Sequence, residues 1–454
     1  MIIDCQRLFD GDQFLSARRI VTQGDQIVAV GEPSDPALSP ARWPEQPSLQ
    51  CRLALPGLID CHAYALGYNE RPPGRDPFLP HEHALKLFHF GGVTALRDMG
   101  NSLEALSFLS HVAQRDAGPR IFHCGPALDG LPLTHPTSRL VLSEEGARRA
   151  AAQLAAEGAH WLRVRPNLPP ELLPAIVEAA RQDRMKVAVS PGAISAEAAL
   201  LAGADSLELL LDVFTPSGTA RGSLTVERVR SFARLDLDAP FLTRLIDLLV
   251  RSRAALCPML LSTRRRVFLQ EVVNEPYLDY MVLVMPFHRH FKAMRNTLGY
   301  AIGKRYMNQY MPYPTLDKTG MAEAEAGCAR MRELLRLLHA RGVRLVAGTD
   351  APNPSLVPGL GMHHELRQWA LAGLPIPAIL SAATAHAAEL LGEPRLGRIR
   401  PGAHADLLLL SEDLTDDLGQ LVTSLAAVVC RGQVLNRKQL GAELVARLEE
   451  VAEK

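Results

Sequence analysis

No charge of either sign dominates this sequence: 49 lysines and arginines meet 49 aspartates and glutamates over 454 residues. Without a basic or acidic excess there is no electrostatic footprint for nucleic acid or for an anionic membrane. No apolar run approaches the ~20 residues that span a bilayer. The opening MIIDCQRLFDGD places an acid at Asp4 and lacks an apolar core of signal-peptide length. Cysteine is sparse as well. The seven cysteines are scattered and none forms a CxxC pair, which argues against a cysteine-held zinc cluster and suits reduced thiols. Low-complexity tracts and solenoid-period repeats are missing. What these absences leave is the expectation of a cytoplasmic protein whose partner is a small molecule.

The remaining composition, 47% apolar and 22% charged, is that of a globular chain long enough for one large domain and a smaller module. From residue 53 to about 390, short apolar runs alternate with longer amphipathic ones. Strands are expected at LALPGLIDC, VTALRDM, RIFHCG, HWLRVRP, KVAVS, SLELL, ALCPML and RLVAGTD, with helical patterns such as EEGARRAAAQLAAEG between them. Eight parallel strands separated by helices predict an α/β fold of the (β/α)8 TIM-barrel type over residues 53–396. An open doubly wound sheet is the alternative, but no glycine-rich phosphate loop follows the first strand. Residues 1–52 and 397–454 are rich in short strands and turns, and are expected to combine into one composite β-sandwich.

Barrel chemistry sits at the C-terminal ends of the strands. Those ends carry His62, Tyr64, Asp98, His123, Arg163, Arg165, Ser190, Glu208 and Asp350. Alternate side chains on a strand share a face, so His62 and Tyr64 are expected to point the same way. Asp350 closes an apolar strand and opens TDAP; it is either a carboxylate aimed into the barrel mouth or a turn or helix cap. His62 is either a functional group or a packed core histidine. Asp98 reads equally as a partner for a neighbouring arginine. His363 and His364 open a helix, where exposure or capping is expected. Ser190 lacks a GxSxG elbow, so serine nucleophile chemistry has little support.

Several stretches together resemble the amidohydrolase superfamily, in its imidazolonepropionase- and prolidase-like branch. They are PGLIDCH, GVTALRDMG, GADSLEL, VRLVAGTDAP, and HHELRQWALAGLPIPAILSAATAHAAELLG through LGRIRPGAHADLLLL. They run nearly end to end in family order. The resemblance implies a barrel with a composite β-sandwich and metal-assisted hydrolysis of amide, cyclic amide or related bonds. It also implies six metal-ligand positions, of which His62 and Asp350 keep the family residue. Tyr64 stands for the second histidine of the first strand, and Arg163 for the lysine that is carboxylated in the family. Ser190 and Leu209 stand for the histidines of the fifth and sixth strands.

Catalytic zinc takes about three protein ligands, and a permanently cationic guanidinium repels a metal. His62 and Asp350 are therefore read as vestigial ligand positions. No cofactor is expected, with zinc as the alternative. The catalytic set is then Asp350, His62, Tyr64 and Arg163: Asp350 or His62 takes a proton, Tyr64 gives one, and Arg163 binds an anion while pairing with Asp350. A lyase, isomerase or cyclase would suit such a site as well as a hydrolase. A non-catalytic binding pseudoenzyme and a residual mononuclear metal hydrolase are the other readings. The resemblance also places His135 of PLTHP on a substrate-touching loop, with Ser190 as a second substrate contact.

Residues 262–325, between the seventh and eighth strands, hold six of the eight tyrosines and six of the 12 methionines. A connection this long is usually functional. It is expected to form a helical lid whose Tyr300 and Tyr306 meet an apolar or aromatic substrate. Arg264, Arg265, Arg266, Lys292 and Arg295 would form a basic rim. A homo-oligomer (dimer) interface or a membrane-facing helix pair built from YMVLVM is the rival reading of the same segment.

Overall fold

The computed structural model describes residues 1–43, 46–65, 82–115, 118–135, 137–215, 225–268, 271–272, 274–283, 316–353, 356–416 and 418–452. Its first four strands are β1 (Ile2–Phe9), β2 (Phe14–Gln23), β3 (Gln26–Gly31) and β4 (Ser48–Pro56). The barrel follows, in chain order β5 (Leu58–Ala63), β6 (Val93–Asp98), β7 (Arg120–His123), β8 (Leu128–Asp129), β9 (Arg139–Leu140) and β10 (Trp161–Val164). It continues through β11 (Lys186–Val189), β12 (Ser206–Glu208), β13 (Ala255–Cys257) and β14 (Arg344–Leu345). Last come β15 (Leu407–Leu410), β16 (Leu425–Cys430) and β17 (Gln433–Asn436).

All barrel pairings are parallel. Two joints close the ring. His160 N–H donates to His123 O at 2.9 Å between β7 and β10, and Cys61 N–H donates to Ala347 O at 2.9 Å between β5 and the chain leaving β14. A Cβ on Gly348 would lie 2.5 Å from Cys257 Sγ and 2.8 Å from the Cβ of His62, so glycine is what lets the eighth strand approach the first. The barrel interior is filled by Ile59, Ala95, Trp161, Ala188, Ala255 and Val346. All eight expected strands are present in the expected order, each followed by helical chain where residues are described. The stretch EEGARRAAAQLAAEG becomes the helix Glu144–Ala156, capped by the Ser143 hydroxyl on Gly146 N–H.

The two chain ends meet in a single seven-stranded sheet, ordered β17-β16-β15-β4-β1-β2-β3. β4 bridges them, parallel to β1 and antiparallel to β15. The sheet curls back on itself, because Ile27 N–H donates to Ala403 O and Gly402 N–H to Ile27 O, both at 2.8 Å. Ile3, Leu8, Ile20, Ile27, Leu407 and Val429 fill the fold of that curl. A barrel with a sandwich-like module from both termini is therefore the architecture.

Two boundaries differ from expectation. β4 runs to Pro56, past residue 52, because Gly57 N–H still pairs with Asp406 O. The helix Arg437–Ala452 leaves the sheet to pack Leu440 and Leu444 against Ala84, Leu87 and Phe90 on the barrel flank. Among the described residues, no helix is long and apolar enough to cross a membrane.

Candidate active site at the barrel mouth

β5 carries an irregularity in its pairing with β6 between Asp60 and Ala63. Such a bulge re-aims the residues beyond it. Ile59 and Cys61 join the barrel core together with the ring of Tyr64, while His62 and the Tyr64 hydroxyl reach partners at the mouth. His62 is 1% exposed. Its Nδ1 lies 2.7 Å from Glu208 Oε2, and its Nε2 faces Asp350 Oδ1 at 3.8 Å. Glu208 is held in turn by Arg97 Nη2 (2.7 Å) and by the Ser206 hydroxyl (2.6 Å). Arg97 also donates to Cys61 O and Ser206 Oγ, and its guanidinium lies over the Trp161 ring.

The electrostatics assign protons to this chain of groups. Burial alone would raise the Glu208 carboxyl, but the Arg97 charge and the His62 contact bring it down to about 2. Burial, then the positive charge of Arg163, lower the pKa of His62, which Glu208 and Asp350 only partly offset. The pair at neutral pH is thus a neutral imidazole donating through Nδ1 to an ionised carboxylate, with the Nε2 lone pair turned to the mouth.

Asp350 does not pair with Arg163. Its Oδ2 accepts from Arg266 Nη2 and from the Ser262 hydroxyl, both at 2.7 Å. Arg163 Nη1 instead donates to Tyr64 Oη at 2.5 Å and to Met99 O at 2.6 Å. The expected single ion pair is thus replaced by two separate contacts. The cause is local: the short helix Leu260–Arg265 after β13 brings Ser262 and Arg266 over the Asp350 side. Asp350 itself has a φ of +67°, a left-handed backbone that aspartate tolerates better than most residues. Leu209 likewise has a positive φ, +69°.

The other candidates divide cleanly. His135, half-buried, lies close enough to Arg165 and Arg163 for their charges to join burial in lowering it to about 4. Ser190 closes β11, with its N–H on Val164 O, and is buried. Both therefore stand beside β10. Asp98 accepts from Ala65 N–H, Gly100 N–H and Asn101 Nδ2, which makes it a loop-bracing residue rather than an arginine partner. His123 turns away from the mouth to pack its ring against His160. His363 is buried, with Nε2 on Gly91 O, contrary to the exposed or capping role expected of it.

Tyr300 and Tyr306 lie outside the described residues, as do Lys292 and Arg295. Of the segment expected as a lid, Tyr277 and Tyr280 pack on Phe90, and Met281 joins the core between the barrel flank and the C-terminal helix. Arg264 pairs with Glu271 and Glu325, and Arg265 with Glu275, so only Arg266 of that triplet reaches Asp350. Arg97, Ser206 and Ser262 are site residues that the sequence reading did not single out.

The residues present do not fit a zinc pair. Leu209 is apolar, Arg163 is cationic, and Tyr64 Oη accepts from that cation. The donor atoms of His62, Glu208 and Cys257 do lie within 4.8 Å of one another. However, Glu208 is committed to Arg97, and burial holds the Cys257 thiol well above its ordinary range, so it is protonated. A buried arginine beside that cluster disfavours a second cation.

Comparisons with known proteins agree with the fold. Residues 301–435 match the Amidohydrolase family model. No curated protein matches the chain. Among solved structures, a bottromycin amidohydrolase superposes with a TM-score of 0.70 at 20% identity, covering 99% of this chain and 90% of its own. A Xaa-Pro dipeptidase with methionine bound in its active site gives 0.65 at 20%, covering 96% and 99%. The ochratoxinase of A. niger gives 0.64 at 18%, covering 96% and 95%. The family match is confined to residues 301–435, and the superposed structures share the fold along the length of the chain.

Proposed function

We propose that the barrel mouth is a metal-independent acid–base site that hydrolyses an amide or related C–N bond of a small molecule. The observation that carries this reading is the Arg97–Glu208–His62 relay, which fixes one tautomer of His62 and leaves its Nε2 facing Asp350 Oδ1 at 3.8 Å. Two acceptors at that spacing are too far apart to bond each other and are matched by one water that donates to both. His62 takes a proton from that water as it attacks the carbonyl carbon, and Glu208 stabilises the imidazolium formed. Arg163, which also donates to Tyr64, binds an anionic group of the substrate. Tyr64, whose oxygen accepts from Arg163, gives a proton to the departing nitrogen. Asp350 is saturated by Arg266 and Ser262 on its other oxygen, which suits it to orienting the water rather than acting as the base.

The neighbours named as an amidohydrolase, a dipeptidase and an ochratoxinase make amide hydrolysis the first reaction to test. Turnover of a panel of dipeptides and N-acyl amino acids, with and without a strong chelator, checks the proposal. Turnover is expected to persist in chelator, to drop about 10²–10⁴-fold in His62→Ala, and to fall on acidification as His62 takes a proton. Loss of turnover in chelator with recovery on adding zinc would refute the metal-free reading. Binding without turnover across the panel would support a pseudoenzyme.

A further inference from the structure

Arg163 and Arg165 are two residues apart on one extended segment, so their side chains leave the same face of it. Arg163 is 6% exposed, and its Nε has no hydrogen-bond partner although buried. Arg165 is more isolated. Among the described residues its guanidinium makes no hydrogen bond or ion pair, and its Nε is likewise buried and unpaired. Buried donors are rarely left unmatched, because each costs the water it has lost. Among the described residues, the acids facing these arginines are already engaged: Asp350 by Arg266, Glu208 by Arg97, and Asp98 by two backbone N–H groups and Asn101.

Arg165 and Tyr64 flank Gly100: a Cβ there would lie 3.7 Å from both Arg165 Nη2 and Tyr64 Cε1, an ordinary contact, and its φ of +150° favours glycine. His135, neutral at physiological pH, stands near the two guanidiniums without adding charge.

We propose that Arg163 and Arg165 together hold the carboxylate of the substrate, at the place where the resemblance puts the family's carboxylated lysine. This rests on the acid–base reading of the same mouth and adds the substrate class. The unpaired N–H groups of two planar guanidiniums match the two oxygens of a carboxylate. The two arginines set against Asp98 leave one positive charge, which a carboxylate balances and a phosphate dianion overshoots. Tyr64 bonds Arg163, and its ring lies 6.0 Å from that of His62. The carboxylate and the bond to be cleaved therefore belong to one small molecule, an N-acyl amino acid or short peptide in outline.

The test is calorimetric titration of the full chain, in chelator, with acetate, benzoate and N-acetylglycine, each against its neutral amide. At least one acid is expected to bind about tenfold or more tightly than its amide. Arg165→Met is expected to abolish that preference while keeping the wild-type melting temperature, since its guanidinium makes no bond to lose. Arg165→Lys, which keeps the charge and loses the fork, should restore part of it. No preference for any acid, a preference that survives both variants, or phosphate binding more tightly than all three acids would overturn the proposal. These titrations need no turnover, so their outcome is independent of whether the catalytic reading holds.

Discussion

Arg97 is the residue on which the site depends most and the one the sequence advertised least. It is fully buried, and all three of its nitrogens donate. Replacing it with methionine removes the cation but leaves Glu208 ionised in the same sealed space. A buried pair broken on one side costs about 3–5 kcal/mol. Arg97→Met is therefore expected to lower the denaturant midpoint by that amount, and Arg97→Met combined with Glu208→Leu to recover a good part of it. Sequence reasoning chose the neighbour, Asp98, because a carboxylate at a strand end looks like chemistry. Adjacent strand residues point to opposite faces, and nothing in VTALRDM says which of the two faces inward. Glu208 was visible as a strand-end residue, yet its partner His62 lies 146 positions away. No local pattern records such a contact.

At the level of elements, alternation of apolar and amphipathic runs was enough to place all eight barrel strands, because parallel strands buried on both sides read as continuous apolar segments. What the alternation could not supply was the direction of side chains at the strand ends. The irregularity in β5 and the positive-φ backbones at Leu209 and Asp350 reset those directions locally. The insertion illustrates a second limit. Of its described tyrosines and methionines, Met281 is buried and Tyr277 and Tyr280 are partly buried, packed on Phe90 and in the cluster with the C-terminal helix, while Met321 is exposed. Composition tells that a surface is needed, not which one. Leu444, fully buried in that cluster, couples the two elements. Leu444→Ala is expected to cost about 2–5 kcal/mol. It should speed hydrogen exchange in both Arg437–Ala452 and Leu278–Leu283; acceleration confined to the helix would argue against the coupling.

For the whole molecule, buried titratable groups set the response to acid. Burial pushes His89 and His363 down to about 3, and burial is the first cause that brings His83, His123 and His135 to about 4. The unfolded chain protonates these rings near 6.5, so the stability they confer at pH 7 is lost as the pH falls from there toward 4. Asp60 and Glu365, raised to about 7, and Asp98, raised to about 6, act in the opposite sense, since the fold keeps them protonated in the same range. Five histidines against three carboxyls give the net direction. The melting temperature is expected to fall between pH 7 and pH 5, and a rise over that interval would contradict the assignment.

The placement of β4 between β1 and β15 also carries a consequence for synthesis. Its partner begins at Leu407, so about 350 residues must be made after Pro56 before that edge of the sheet can be covered. At roughly 5–20 residues per second, that is a wait of about 20–70 s on the ribosome. Over that interval the N-terminal strands present an unpaired edge, open to other chains. The newborn protein is therefore most exposed to aggregation along the open edge of β4, and the strands between Leu407 and Asn436 act as its cover.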